Sequence, residues 1–272
     1  MNVDHRFTQT QKQYAADDLE TMSEAVRYQA HVFGLVRPHL GAHVLEVGCG
    51  IGTMSRQILD TSGRPRLVCI EPNANCAWRA GEELRGQERV SIRKCHLEEC
   101  DRGELRAQRF DTIVCVNVLE HIEDDVQALA LFREVVADTG GQVLIFVPAM
   151  QQIYGPHDAA LGHHRRYSKR SLTASFAAAG LDVVMMKYTN PIGLLGWMYN
   201  LYVSGNTEHT SRQVRLFDRF VAPWALPLER MITPPIGLSL FAVGRARTAC
   251  HVPPRHSSAP RRSSRPIRCS LS

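Results

Sequence analysis

The run Val44-Leu45-Glu46-Val47-Gly48-Cys49-Gly50-Ile51-Gly52 limits the fold of this chain more than any other segment. Its first residues are mostly apolar and read as a strand starting at His43; three glycines at alternate positions end that strand. Glycines in such a turn let the backbone reverse sharply and pass close to a ligand. The residues after it, to about Leu59, read as a helix whose free N–H groups face a negative or polar ligand group. Strand, glycine turn and helix in that order open an α/β domain.

The rest of the chain repeats the alternation. Residues 14–37 read as a helix with Val26, Ala30, Phe33 and Val36 as its apolar stripe, ended by Pro38 and Gly41. Strands are expected at Leu67–Ile70, Val90–Arg93, Thr112–Val116, Gln142–Val147, Leu181–Tyr188 and Leu238–Val243. A helix follows Pro72 over 73–85, a stripe of Leu129, Phe132 and Val136 marks another, and Ser168 caps a third that Gly180 ends. Nearly continuous apolar strands mean a largely parallel sheet covered on both faces. The expected divisions are an N-terminal helical cap over 1–38, an α/β core over 39–190, an apolar helical insert over 191–236, a last core strand over 237–244 and a basic tail over 245–272.

Charge and cysteine usage narrow the function. The net charge is +5, but seven arginines and no acidic residue lie from Arg245 to Ser272, so residues 1–244 carry −2. A basic nucleic-acid face on the folded part is therefore disfavoured. No stretch approaches the roughly 20 apolar residues of a membrane span, and the first residues have no apolar core of a secretory signal. The eight cysteines form no C-x-x-C pair, and Cys69 and Cys115 sit inside apolar strands. That usage points to a reducing, cytoplasmic setting with no disulfide framework and no bound metal.

The glycine register decides between two nucleotide ligands. A dinucleotide turn reads G-x-G-x-x-G; here the register is G-x-G-x-G, with Thr53 where the last dinucleotide glycine would stand. This favours S-adenosylmethionine over a nicotinamide cofactor. Glu71 ends the second strand, where a carboxylate can accept hydrogen bonds from ribose hydroxyls. The segment Asp111 to Ile122 carries an apolar strand into a polar turn, with Asn117, Glu120 and His121, at the sheet edge where open α/β sheets bind ligands.

Taken together, Glu46-x-Gly48-x-Gly50-x-Gly52, Glu71, the Asp111–Ile122 segment and Gly140-Gly141 resemble the class I S-adenosylmethionine-dependent methyltransferases over roughly residues 25–245. The resemblance implies a Rossmann-like, mostly parallel seven-stranded sheet of order 3-2-1-4-5-7-6, with helices on both faces and the last strand antiparallel. It also implies that Glu46, Gly48, Cys49, Gly50 and Gly52 hold the methionine part, with Asn117 lining that side. Glu71 and Pro72 would meet the ribose. In place of the family's adenine-contacting Asp the chain has His96-Leu97-Glu98, with His96 or Glu98 left to make that contact.

A second resemblance lies after the fifth strand. Gly162-His163-His164-Arg165-Arg166-Tyr167-Ser168 is similar to a Gly-His-Tyr-Arg-Arg-Tyr-Thr segment of one branch of the family, often found beside polyketide, saccharide or lipid biosynthesis. His164 and Ser168 depart from it. By position this segment covers the place where a methyl acceptor enters. Methyl transfer needs the acceptor oriented and, for a hydroxyl, a proton removed. His163, His121 and His157 are candidates for the base, in that order, with Asp158 to orient one of them. Arg165 and Arg166 either bind an acceptor carboxylate or phosphate or form ion pairs with Asp111, Glu120 or Asp124. Tyr167 and Trp197 complete the expected acceptor side. The apolar insert either caps the sheet or contacts an apolar acceptor or a membrane face. The expected function is methyl transfer to a small-molecule or lipid- or saccharide-linked acceptor. A methyltransferase-like binding module without activity and a nicotinamide oxidoreductase are the alternatives.

Overall fold

The apolar runs of the sequence become seven strands in a computed structural model that describes residues 19, 22–199, 215–231 and 233–247. The strands are β1 (His43–Val47), β2 (Arg66–Ile70), β3 (Val90–Arg93), β4 (Thr112–Val116), β5 (Gln142–Pro148), β6 (Leu181–Thr189) and β7 (Ser239–Ala246). They lie in the order β3-β2-β1-β4-β5-β7-β6. Strands β1 to β5 pair in parallel, and β7 runs antiparallel to both of its neighbours, β5 and β6. This is the Rossmann-like order that the resemblance implied.

The helices are α1 (Val26–Val36), α2 (Thr53–Leu59), α3 (Ala74–Glu83), α4 (Arg102–Ala107), α5 (Asp125–Val136), α6 (Pro156–Leu161), α7 (Lys169–Ala178), α8 (Pro191–Tyr199) and α9 (Ala222–Met231). Strand side chains alternate between faces, so the two sides of the sheet have separate cores. Leu45, Ile113 and Ile145 pack with Leu129, Phe132 and Phe176 of α5 and α7. Val44, Cys69 and Val114 pack with Val32 and Val36 of α1 and Ile58 of α2. Each fully buried Leu, Ile or Phe contributes about 1.5–3 kcal/mol of transfer free energy.

Local chemistry starts the helices at the sheet's carboxyl edge. The Asn73 side chain accepts from the N–H of Asn75 and Cys76, that of Asp124 from Gln127, and that of Ser168 from Ser171. Each satisfies N–H groups that have no partner in the first turn. Helix α1 has no such cap of its own. Its N–H groups at Arg27 and Tyr28 donate instead to the Asp218 carboxylate, 3.2 and 3.0 Å away, from the segment before α9.

The structure corrects three expectations. The described part of the first helix is Val26–Val36 with a 3-10 turn at Arg37–His39, and Val26 is 67% exposed. The buried face is Tyr28, His31, Val32, Leu35 and Val36. His31 can be buried because its Nε2 lies 3.1 Å from Glu229 Oε1 and 3.2 Å from Thr189 Oγ1. The last strand extends to Ala246, and Arg247 pairs with Asp182 at 3.0 Å. Arg245 therefore lies in β7 and Arg247 just beyond it, and residues 1–247 carry no net charge rather than an acidic excess. The short helices α4 and α6 were not expected at all. Residues 1–13, the middle of the insert and the tail beyond Arg247 lie outside the described residues. Among the described residues no helix is long and apolar enough to cross a membrane.

Candidate active site

The glycine turn after β1 is built for close approach. Gly48, Gly50 and Gly52 have φ of 73°, 55° and 89°, in the left-handed region that side chains disfavour. A Cβ on Gly48 would overlap Val118 Cγ2, and one on Gly52 would lie 3.2 Å from the Ala80 Cα. The Gly48 N–H donates to the Ile70 carbonyl at 2.7 Å, which ties the turn to the end of β2. Leu19 lies over the turn, its Cδ1 3.4 Å from where a Gly50 Cβ would stand.

Glu71 stands beside this turn. Its two oxygens accept from the N–H of Gly50 and of Asn73, each at 2.9 Å. Burial raises its carboxyl above the usual range, while those N–H groups and the nearby His96 favour the charged form. His96 thus lies near Glu71. Leu97 is buried in the core, and Glu98 and Pro72 are exposed. Asn117 is exposed at the end of β4 with φ of 52°, and its N–H donates to the Phe146 carbonyl at 2.7 Å. Glu46 and Cys49 point inward. Glu46 is 3% exposed and accepts from the Ser55 hydroxyl at 2.5 Å and the Cys69 thiol at 3.6 Å. Burial pushes its carboxyl up to about 7.

A second cluster starts two residues beyond Val118. The turn Leu119–His121 places Glu120 and His121 against the histidine segment, where the His164 N–H donates to the Glu120 carbonyl at 2.8 Å. Helix α6 ends at Gly162, whose φ of 79° reverses the chain, and the Ala149–Tyr167 bridge returns it to the edge of β5. His163 is thereby held over the cluster. Its Nδ1 lies 2.9 Å from Asp158 Oδ1, its Nε2 lies 4.0 Å from Glu120 Oε1, and its ring meets that of His121 edge-on at 4.6 Å. With the Nδ1 proton assigned to the Asp158 bond, a neutral ring presents an unprotonated Nε2.

Charge in the cluster follows from burial and pairing. Burial pushes Asp158 upward, but hydrogen bonds from His163 and Arg166 outweigh it and hold the carboxyl below its usual range. Burial pushes Glu120 up to about 7 despite the nearby His163. Burial pushes His121 down to about 3, and its ring also bonds to the Gly162 backbone.

The expected site residues separate into two groups. His163, Asp158 and His121 come together. His157 does not join them: it packs edge-on against Trp197 at 5.2 Å. Arg166 is 5% exposed, donates to Asp158 at 2.8 Å and lies over the Trp197 ring at 4.3 Å. Arg165 pairs with Asp125 at 2.9 Å. Both arginines form ion pairs, with partners other than Asp111, Glu120 or Asp124. Tyr167 was expected at the acceptor but is 1% exposed, with its hydroxyl donating to Asp125 at 3.0 Å. Asp125 went unnoticed in sequence; it also accepts from Ser175 at 2.9 Å and joins α5, α7 and the histidine segment. A cavity of about 590 Å³ lined by His31, Phe33, Arg37 and Lys187 lies beside α1 and includes none of these groups. The carboxyl edge of the sheet, where the chemistry converges, is the better candidate.

The sheet order is that of the Rossmann-like class I S-adenosylmethionine-dependent methyltransferase fold. Residues 45–142 match the family model described as a methyltransferase domain. No curated protein matches the chain. Among solved structures it is similar to a chain from the Haloferax volcanii complex of the Trm112 methyltransferase activator with a protein assigned as a methyltransferase. That match has 17% identity and a TM-score of 0.59, and covers 88% of this chain and 99% of the other. YcgJ from Bacillus subtilis matches with 17% identity and a TM-score of 0.53, over 81% of this chain and 100% of its own. A Galdieria sulphuraria protein assigned as a sarcosine dimethylglycine methyltransferase matches with 13% identity and a TM-score of 0.52, over 87% and 85%. At these identities the likeness is one of fold.

The site fits S-adenosylmethionine as its cofactor. The glycine turn has no side chain where the ligand must approach, and the Glu71 carboxylate closes one side of the cradle.

Proposed function

We propose that the chain methylates a hydroxyl of a small-molecule or lipid- or saccharide-linked acceptor. The observation that carries this reading is contiguity. Val118 packs against Gly48 of the cofactor turn, and two residues later Glu120 and His121 open the His163–Asp158 cluster. A cofactor cradle and an acid–base cluster therefore adjoin at one sheet edge.

Bound in the cradle, S-adenosylmethionine supplies an electrophilic methyl group. Gly48, Gly50 and Gly52 hold its methionine part, Glu71 its ribose and His96 the side of its base. His163 accepts the acceptor's proton at Nε2, and Asp158 fixes the ring and stabilises the imidazolium. Arg166 holds Asp158 in place and packs over the Trp197 ring, an apolar wall for the acceptor. Leu195 of α8 is 65% exposed and Trp224 of α9 is 82% exposed, which favours an apolar or lipid-linked acceptor.

S-adenosylhomocysteine should raise the melting temperature by mass action, and NADH should not. No shift at millimolar S-adenosylhomocysteine would refute the reading. Glu71→Ala should weaken that binding and keep the fold. Screening cell extracts for compounds that gain one methyl group identifies the acceptor. His163→Asn should then lower kcat by about 10²–10⁴-fold.

A further inference from the structure

Glu120 is out of place as a lone carboxylate. Its side chain is 1% exposed, and among the described residues neither oxygen has a hydrogen-bond partner from another residue. Buried carboxylates are costly unless paired, hydrogen-bonded or bound to a metal. Asp158 shows how this protein treats such a group elsewhere, with bonds from His163, Arg166 and the Gly155 N–H. Glu120 has no equivalent set, yet two imidazoles face it.

We propose that Glu120, His121 and His163 bind a divalent transition-metal ion. One ligand atom from each lies within 4.8 Å of the others. Nitrogen and oxygen ligands bind such ions at about 2.0–2.2 Å, so two ligands of one ion stand at most about 4.2 Å apart. The 4.0 Å between His163 Nε2 and Glu120 Oε1 lies within this limit. The three ligands come from two segments, the turn after β4 and the loop after α6, which the His164-to-Glu120 backbone bond holds together.

The surroundings suit ligation. Asp158 accepts from Nδ1 of His163, whose Nε2 faces Glu120, and the His121 ring bonds to the Gly162 backbone. Partners of this kind orient metal-binding histidines. Two histidines and one carboxylate suit Zn²⁺, Co²⁺, Mn²⁺ or Fe²⁺ better than Mg²⁺ or Ca²⁺. Three protein ligands leave positions for a further one, as in sites that take substrate. One consequence rests on the methyltransferase reading above. The open position takes the acceptor's hydroxyl oxygen, the ion lowers that hydroxyl's pKa, and the proton leaves to water. With the ion bound His163 serves as a ligand, and this route replaces the proton transfer to its Nε2 described above for the metal-free site.

The test uses the full, untagged chain after chelator treatment, titrated with Co²⁺ and Zn²⁺ by calorimetry and with Co²⁺ by visible absorption. One equivalent per chain is expected, with ligand-field bands of a nitrogen and oxygen site. Glu120→Gln and His163→Ala should each weaken binding at least about tenfold, and a Cys95→Ser, Cys100→Ser double variant should bind like the wild type. Absence of saturable binding, variants that bind like the wild type, or an intense thiolate charge-transfer band would overturn the proposal. The band distinguishes these outcomes in the wild type even if a variant fails to fold. A thermal shift with S-adenosylhomocysteine is run alongside. A shift without metal binding sinks the metal site alone, and metal binding without a shift sinks the cofactor reading alone.

Discussion

Gly48→Ala tests the cofactor cradle most directly. Gly48 has a φ of 73°, and an added Cβ would overlap Val118 Cγ2. A side chain in the left-handed region costs about 1–2 kcal/mol, and overpacking a filled site costs about 1–3 kcal/mol more. The expected loss of stability is therefore about 2–5 kcal/mol. Gly86 provides the control. Its φ is 81°, but nothing lies within 4 Å of a Cβ built there, so Gly86→Ala should lose only the backbone contribution, about 1–2 kcal/mol. Urea denaturation of the three proteins measures the losses, and calorimetry measures S-adenosylhomocysteine affinity. Pushing Val118 away displaces both the turn and the segment leading to Glu120, so Gly48→Ala should lose at least about tenfold in affinity, roughly 1.4 kcal/mol. Gly86→Ala should bind normally. Equal losses in the two variants, or full affinity in Gly48→Ala, would refute the claim that contact with Val118 shapes the site.

Two further outcomes follow from buried titratable groups. Burial pushes Glu46 from 4.5 up to about 7, so between those pH values the folded chain holds a proton that the unfolded chain has released. Glu46's contribution to stability is thus fully present below about 4.5 and is lost as pH rises through about 7, an effect on the order of 3 kcal/mol. The difference in urea stability between wild type and Glu46→Gln should change across that window, and parallel curves would contradict it. Cys95 and Cys100 have sulfurs 3.1 Å apart and are half-buried, so mild oxidant should join them with loss of two hydrogens, seen by mass spectrometry. Alkylation of both thiols after oxidant treatment would show that the pair does not close.

Periodic and local features were readable in the sequence. The strands β1, β2 and β4 follow apolar runs, the glycine turn follows its spacing, and Ser168 caps its helix as its residue type suggests. Features that depend on distant partners were not readable. His31 breaks the apparent apolar stripe of α1, because its partner Glu229 is 198 residues away. Arg166 and Tyr167 read as acceptor contacts because isolated polar residues in a loop usually face solvent. Here Asp158 and Asp125 draw them inward. Glu120 sits in an ordinary-looking Leu-Glu-His-Ile run. Its isolation appears only once the histidine segment closes over it.

The position of β7 affects how this chain is made. Strand β6 pairs with β7 and β7 with β5, so β6 has no place in the sheet without β7. During synthesis β5 is complete about ninety residues before Ser239 leaves the ribosome, a wait on the order of 5–20 seconds at roughly 5–20 residues per second. Throughout that wait β5 has an open apolar edge, the kind of edge that invites wrong partners. A stop codon just before Ser239 would therefore remove one strand from the sequence and two from the sheet.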